Sequence, residues 1–275
     1  MTAAPLAGLT VLVPRETPGP DPLVIALTAA GAQPQVVPLI QTVPPHDPTE
    51  LDDALLALEV GYYGWVAVTS AAAVPVLVDR ADETGHTLAG LLDGVRVAAV
   101  GGSTARALRE AGVEVDLVPT GRSSAATLLA AWPPAGEDPA RVLLPLGDLA
   151  APTLAEGLTA HGWPVDVVVA YQTVPGPAPE PEERAAWAAG GTDAVLLTSG
   201  STARNLLTML GAPPARTLVC CIGGSTAAEA RRLGLRVDAV AEDQTPGGLV
   251  AALTAAVTAR TGARTDPEQH PGEHA

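Results

Sequence analysis

The feature that most constrains this chain is an internal repeat, because a duplicated sequence must be folded twice on one plan. Leu27-Thr28-Ala29-Ala30-Gly31, running on to Ile40-Gln41-Thr42-Val43-Pro44, returns as Leu158-Thr159-Ala160-His161-Gly162, running on to Tyr171-Gln172-Thr173-Val174-Pro175, at an offset of 131 (27 to 158). The same offset carries Val11-Leu12-Val13-Pro14 onto Val142-Leu143-Leu144-Pro145, and Val68-Thr69-Ser70 maps onto Leu197-Thr198-Ser199 at 129 (68 to 197). Val100-Gly101-Gly102-Ser103-Thr104-Ala105 recurs as Ile222-Gly223-Gly224-Ser225-Thr226-Ala227, and Gly112 and Asp116 recur as Gly234 and Asp238. Chance similarity would not keep order and spacing over four blocks.

Each half reads as strands alternating with helices. A strand near 9–13 or 141–145 is followed by a helix, a strand before the Gln-Thr-Val-Pro element and a longer helix. Then come a strand ending in Thr-Ser, a helix, a strand ending in Gly-Gly-Ser-Thr, a helix and a short strand near 115–118 or 237–240. Alternation of this kind predicts an α/β fold, two similar lobes facing each other across a ligand cleft, each a parallel sheet flanked by helices. A length of 275 residues suits two cores rather than one. Phe is absent and aromatics are 3%, so Val, Leu, Ile and Ala must fill them, as buried parallel strands require. Pro-rich stretches at 43–48, 133–139 and 174–181 mark linkers or crossings, and 262–275, without apolar periodicity, reads as a disordered tail.

The net charge is −15 and every one of the 15 basic residues is Arg, which argues against nucleic acid or an anionic membrane as partner. No apolar run nears the length of a membrane span and the N-terminus has no signal-peptide layout, so the cytoplasm is expected. Cys220 and Cys221 sit in the apolar run Leu218–Ile222, where successive strand residues point to opposite faces; buried free thiols are expected rather than a disulfide.

Four turns deliver Ser, Thr and Gly from a strand into a helix start: Thr69-Ser70-Ala71, Gly102-Ser103-Thr104, Thr198-Ser199-Gly200-Ser201-Thr202 and Gly224-Ser225-Thr226. Singly, each reads as ordinary helix capping. Together, at the carboxyl ends of strands, they suit an anionic ligand held by free helix N–H groups. Neither a P-loop nor a dinucleotide fingerprint is present, and the five scattered His offer no metal set. Arg15, after the first strand, is either a surface residue or a partner for a substrate carboxylate. His161 reads as a surface residue. Tyr171 breaks the repeat, standing where the first half has Ile40; it is either a partly buried core tyrosine or a residue of the chemistry.

Over roughly residues 9–256 these ordered segments, with Pro38-Leu39-Ile40 and Val66-Ala67-Val68-Thr69-Ser70 among them, resemble the uroporphyrinogen-III synthase family. The resemblance implies a cofactor-free and metal-free lyase, a hydro-lyase, that closes hydroxymethylbilane to uroporphyrinogen III with inversion of ring D and loss of water. It thereby serves tetrapyrrole (haem or cobalamin) biosynthesis, in the cytoplasm and as a monomer. It implies one lobe from 1–38 plus 173–261 and another from 39–172, joined by two linking strands. Tyr171 would assist departure of the hydroxyl, and Thr104, Ser199, Thr226, Ser70, Ser124, Gly200 and Arg15 would bind the linear tetrapyrrole polycarboxylate. Many relatives carry Arg where Leu146 stands, and here Ala71-Ala72-Ala73 follow the first Thr-Ser turn. The competing reading is a non-catalytic two-lobed binding or regulatory module of the same fold. The stretch after 261 carries no basic DNA-reading helix, which favours the enzyme.

Overall fold

A computed structural model describes residues 4–15, 21–121 and 123–262. In chain order the elements are β1 (Thr10–Val13), α1 (Pro22–Ala29), β2 (Gln33–Val36), β3 (Ile40–Val43), α2 (Thr49–Glu59), β4 (Tyr63–Val68), α3 (Ala73–Glu83), α4 (Leu88–Leu91), β5 (Arg96–Ala99), α5 (Gly102–Glu110) and α6 (Ala125–Ala131). They continue with β6 (Arg141–Gly147), α7 (Thr153–Ala160), β7 (Val165–Pro175), α8 (Pro181–Ala188), β8 (Ala194–Leu197), α9 (Gly200–Met209), β9 (Leu218–Cys221), α10 (Gly224–Arg232), β10 (Ala239–Val240) and α11 (Pro246–Gly262). The stretch 263–275, most of the expected tail, lies outside the described residues.

The chain divides into two compact units, residues 1–41 with 175–275 and residues 42–174. The discontinuous unit holds a sheet of order β10-β9-β8-β1-β2, every pairing parallel. The continuous unit holds the order β3-β7-β6-β4-β5, with β4, β5, β6 and β7 parallel to one another where they pair. In repeat terms β6, β7, β4 and β5 correspond to β1, β2, β8 and β9. Each sheet therefore draws its first two repeat strands from one half of the sequence and the rest from the other.

Alternate residues of each strand feed opposite faces, which is why short Val/Leu runs suffice. In the discontinuous unit Val11, Val13, Leu196 and Cys220 face α1 and α11 through Leu23, Leu27, Leu249 and Leu253. Leu12, Val195, Leu197 and Cys221 face α8, α9 and α10 through Trp187, Leu206 and Ala230. Cys220 and Cys221 are thus free and buried on opposite faces; burial pushes their thiols up to about 12 and about 11. In the continuous unit Val66, Val68 and Val97 pack under α2 to α5. Trp65, Val142, Leu144 and Leu146 pack against α6 and α7 on the other face. Three of the four Trp gather there, Trp132 lying 4.7 Å from Trp65 and 6.2 Å from Trp163 between ring centroids.

The halves differ in two of their strands. The second half runs as one strand, β7, where the first is broken into β2 and β3. At the 131 offset Pro38 stands against Val169; the Val37 and Leu39 N–H groups on either side of it still donate to the Val13 and Pro14 carbonyls, and the break falls where the chain passes from the sheet of β2 to the sheet of β3. The short strand expected near 115–118 is reduced to one isolated bridge, Ala98 with Leu117. Its counterpart β10 is extended by the Ala241 N–H donating to the Cys221 carbonyl at 2.9 Å; Pro119, 122 residues earlier (241 to 119), has no such donor.

Candidate active site

In both units the chain order reverses beside the first repeat strand: β1 lies between β2 and β8, β6 between β7 and β4. Ligands of open α/β sheets settle beyond the carboxyl ends of the strands at such a point. Each unit has its own set of residues there.

In the continuous unit the carboxyl ends carry Ser70 after β4, the Gly101–Thr104 turn after β5, Gly147 closing β6, and Tyr171 opposite Gly147 in register. Ser70 Oγ accepts from the Ala72 N–H at 3.2 Å, a local turn into α3. Ser124 caps α6 in a reciprocal box with Thr127. Helix α5 starts differently. Gly101 is its N-cap, with no side-chain cap for the first-turn N–H groups, and Gly102 and Ser103 are exposed. Glycine is needed there by close approach: a Cβ on Gly101 would collide with Ser123 Oγ. Thr104, at the third helical position, is buried at 2% exposure.

The discontinuous unit repeats this plan. Helix α10 begins on Gly223, again without a side-chain cap, with Gly224 and Ser225 exposed and Thr226 buried at 4%. A Cβ on Gly223 would lie 2.6 Å from Gln244 Nε2. Ser199 caps α9 through a box with Thr202, its Oγ accepting from the Thr202 N–H at 3.2 Å, and Gly200 follows it partly buried. Arg15, after β1, is 3.7 Å from Asp21, whose Oδ1 accepts from the Leu23 N–H at the head of α1.

The four turns that look alike in sequence therefore divide into two kinds. Ser199 and Ser124 spend their oxygens on the first turns of their own helices, and Ser70 spends its oxygen on the turn that precedes α3, a helix without a side-chain cap. The Gly101 and Gly223 turns leave first-turn N–H groups uncapped, and these, rather than the buried Thr104 and Thr226 hydroxyls, are what an anion can reach. Tyr171 is partly buried against the core of its unit, and its ring lies over Gly147. Leu146 is 6% exposed and packed into the Trp65 face, so that position serves the core.

Sequence reading missed Ser123, Gln244, Gly147 and Arg204. The last two carry a signal in the repeat: Gly147 stands against Glu16 at offset 131, and Arg204 against Pro75 at offset 129. Arg204, in the first turns of α9, donates to Ser201 Oγ at 3.1 Å and to Glu229 at 2.7 Å. Arg232 first and Arg204 beside it donate to the Glu229 carboxyl and hold it down to about 2. Among the described residues no group of three His, Cys, Asp or Glu is placed to hold a metal ion, and no helix is long and apolar enough to cross a membrane.

Known proteins match this architecture. The chain is 27% identical over 250 residues to a porphyrin biosynthesis protein HemD of Ruminiclostridium josui, covering 90% of this chain and 49% of that one, so it spans about half that relative's length. It is 26% identical over 265 residues to a uroporphyrinogen-III synthase of Synechococcus elongatus, covering 92% of this chain and 97% of that one. Among solved structures, a mutant uroporphyrinogen III synthase of Thermus thermophilus aligns at TM-score 0.59 and 22% identity, and a uroporphyrinogen-III synthetase of Helicobacter pylori at 0.61 and 17%. Each alignment covers 92% of this chain and all of the other, and shows the shared fold. The family model for uroporphyrinogen-III synthase HemD matches residues 21–251, a span that includes residues of both units and every candidate residue except Arg15; the chain belongs to that family.

Proposed function

We propose that this protein is a uroporphyrinogen-III synthase, a lyase that closes hydroxymethylbilane to uroporphyrinogen III in tetrapyrrole biosynthesis without metal or cofactor, acting on a small molecule and not on nucleic acid or a membrane. The observation that carries the reading is the family match, which takes in both Gly-Gly-Ser-Thr turns and Tyr171. The geometry supports it. Two uncapped helix N-termini, one at α5 and one at α10, present N–H groups with a favourable dipole to the substrate carboxylates. Backbone donors of this kind let a chain of net charge −15 hold a polyanion.

In the proposed reaction the terminal C–O bond of the bilane breaks, and its electron pair leaves with the oxygen. That oxygen takes the Tyr171 proton and departs as water, leaving an azafulvenium cation. The substituted carbon of ring D attacks this cation to give a spiro intermediate. Bond migration inverts the ring, and loss of the carbon-bound proton, which restores the phenol, completes the type III macrocycle. Ser70, Ser124, Thr104, Ser199, Gly200 and Thr226 act here mainly by shaping the two carboxyl edges. Arg15 contributes charge once it is shared between Asp21 and substrate. Because the bilane can close unaided to isomer I, holding its shape is the larger part of the task.

The test is product identity. Fresh hydroxymethylbilane supplied to the purified chain, without metal or cofactor, is expected to give isomer III in place of isomer I. Product that remains isomer I throughout, under conditions where a related synthase yields isomer III, overturns the reading and leaves the binding-module alternative.

A further inference from the structure

We infer that Gly147 is a positioning residue whose bare α-carbon seats the Tyr171 ring; the inference rests on the reading that the Tyr171 hydroxyl assists loss of water. Gly147 ends β6 and is in register with Tyr171, although the preceding pair is Leu146 with Val169. One residue of β7, the fully buried Ala170, is therefore extra at this point. Such an irregularity re-aims the side chain that follows it. Beyond it the Asp148 N–H donates to the Tyr171 carbonyl at 3.0 Å, and Asp148 Oδ1 accepts from the Thr173 N–H at 3.0 Å. Asp148 thus holds the backbone from Tyr171 to Thr173 against the end of β6.

The ring is held by the glycine. A Cβ built on Gly147 would stand 2.6 Å from Tyr171 Cζ, 2.7 Å from Cε2 and 2.8 Å from the hydroxyl oxygen. Any side chain must therefore displace the phenol end itself, by about 1 Å to reach ordinary van der Waals contact. Backbone conformation does not demand glycine here, since Gly147 is absent from the positive-φ set. The sequence adds an independent point. Tyr171 replaces Ile40 and Gly147 replaces Glu16 at the same offset of 131, and Tyr171 and Gly147 touch in space.

The experiment compares Gly147→Ala, Tyr171→Phe and the double variant in the full chain with fresh hydroxymethylbilane. Gly64→Ala, at a strand glycine where a Cβ would collide with Ala140, controls for general strain. A phenol that supplies a proton is worth about a hundredfold or more in kcat. Gly147→Ala is expected to lose kcat to a similar degree with KM changed less than about twofold, because a 1 Å misplacement can cost up to about a hundredfold. The double variant should be no more than about twofold slower than Tyr171→Phe, and Gly64→Ala should keep its kcat. Fluorine NMR of 3-fluorotyrosine protein, which has three tyrosines, gives a readout independent of turnover. The resonance missing from Tyr171→Phe should move in Gly147→Ala while those of Tyr62 and Tyr63 stay. Losses that multiply in the double variant, or an unmoved resonance, overturn the positioning role. Wild-type turnover in Tyr171→Phe instead removes Tyr171 from the chemistry, and the positioning role falls with it.

Discussion

At the scale of the residue, burial decides which polar groups can act. Thr104 and Thr226 are conspicuous in the sequence because they repeat, yet both are buried on the core side of their helices, beside exposed Ser103 and Ser225. Asp116 and Asp238 also repeat, and their role is visible only in three dimensions: each accepts from the backbone N–H of the neighbouring strand, Val97 at 2.7 Å and Val219 at 2.8 Å. The adjacent thiols yield a prediction of their own. Folded Cys220 and Cys221 keep their protons to about 12 and about 11, while an ordinary thiol releases its proton near 9.0. Tyr63, buried and donating to Asp166, is raised from 10.0 to about 12. Above about pH 9 the unfolded chain binds fewer protons than the folded one, so stability falls as pH rises through this window. The urea midpoint should be lower at pH 10 than at pH 8, and the drop should shrink in a Cys220→Ala/Cys221→Ala variant. Equal midpoints at the two pH values would refute this.

At the scale of the element, the alternation of strands and helices was legible because each element is short and its apolar residues sit where its period requires. What the periodicity could not show was where the ladder stops. The strand of the first half ends as β2 and resumes as β3 in the other sheet, and Pro119, which has no N–H to give, leaves its segment as a single bridge. The chain leaves β7 through Gly176, whose N–H donates to the Leu39 carbonyl at 3.0 Å, a carbonyl that also accepts from Asn205 Nδ2 at 2.9 Å. A Cβ on Gly176 would collide with the Pro38 carbonyl oxygen, and a backbone atom cannot swing aside as a side chain can. Gly176→Ala is expected to lower stability by about 1–3 kcal/mol, as overpacking does. Urea unfolding measures it, and a change within about 0.5 kcal/mol, the scale of a neutral surface substitution, would contradict it.

At the scale of the whole molecule, the partition into units sets what can fold alone. The unit of residues 42–174 is continuous and owns both of its core faces, whereas the other needs two separated stretches of chain. A fragment of residues 42–174 should therefore melt cooperatively, with fluorescence from Trp65, Trp132 and Trp163; a featureless melt would show that its core is incomplete. The sequence by itself determined the fold class, the duplication and the family, because these are carried by local period and by ordered short segments that survive without knowledge of neighbours. It also singled out Tyr171, as a break in a pattern. Only the tertiary structure decided which strand pairs with which, which of the Ser/Thr-Gly turns leave free N–H groups, and that Gly147 lies beneath Tyr171. Pairing, capping and close approach are contacts between residues far apart in the chain, and no local pattern encodes them.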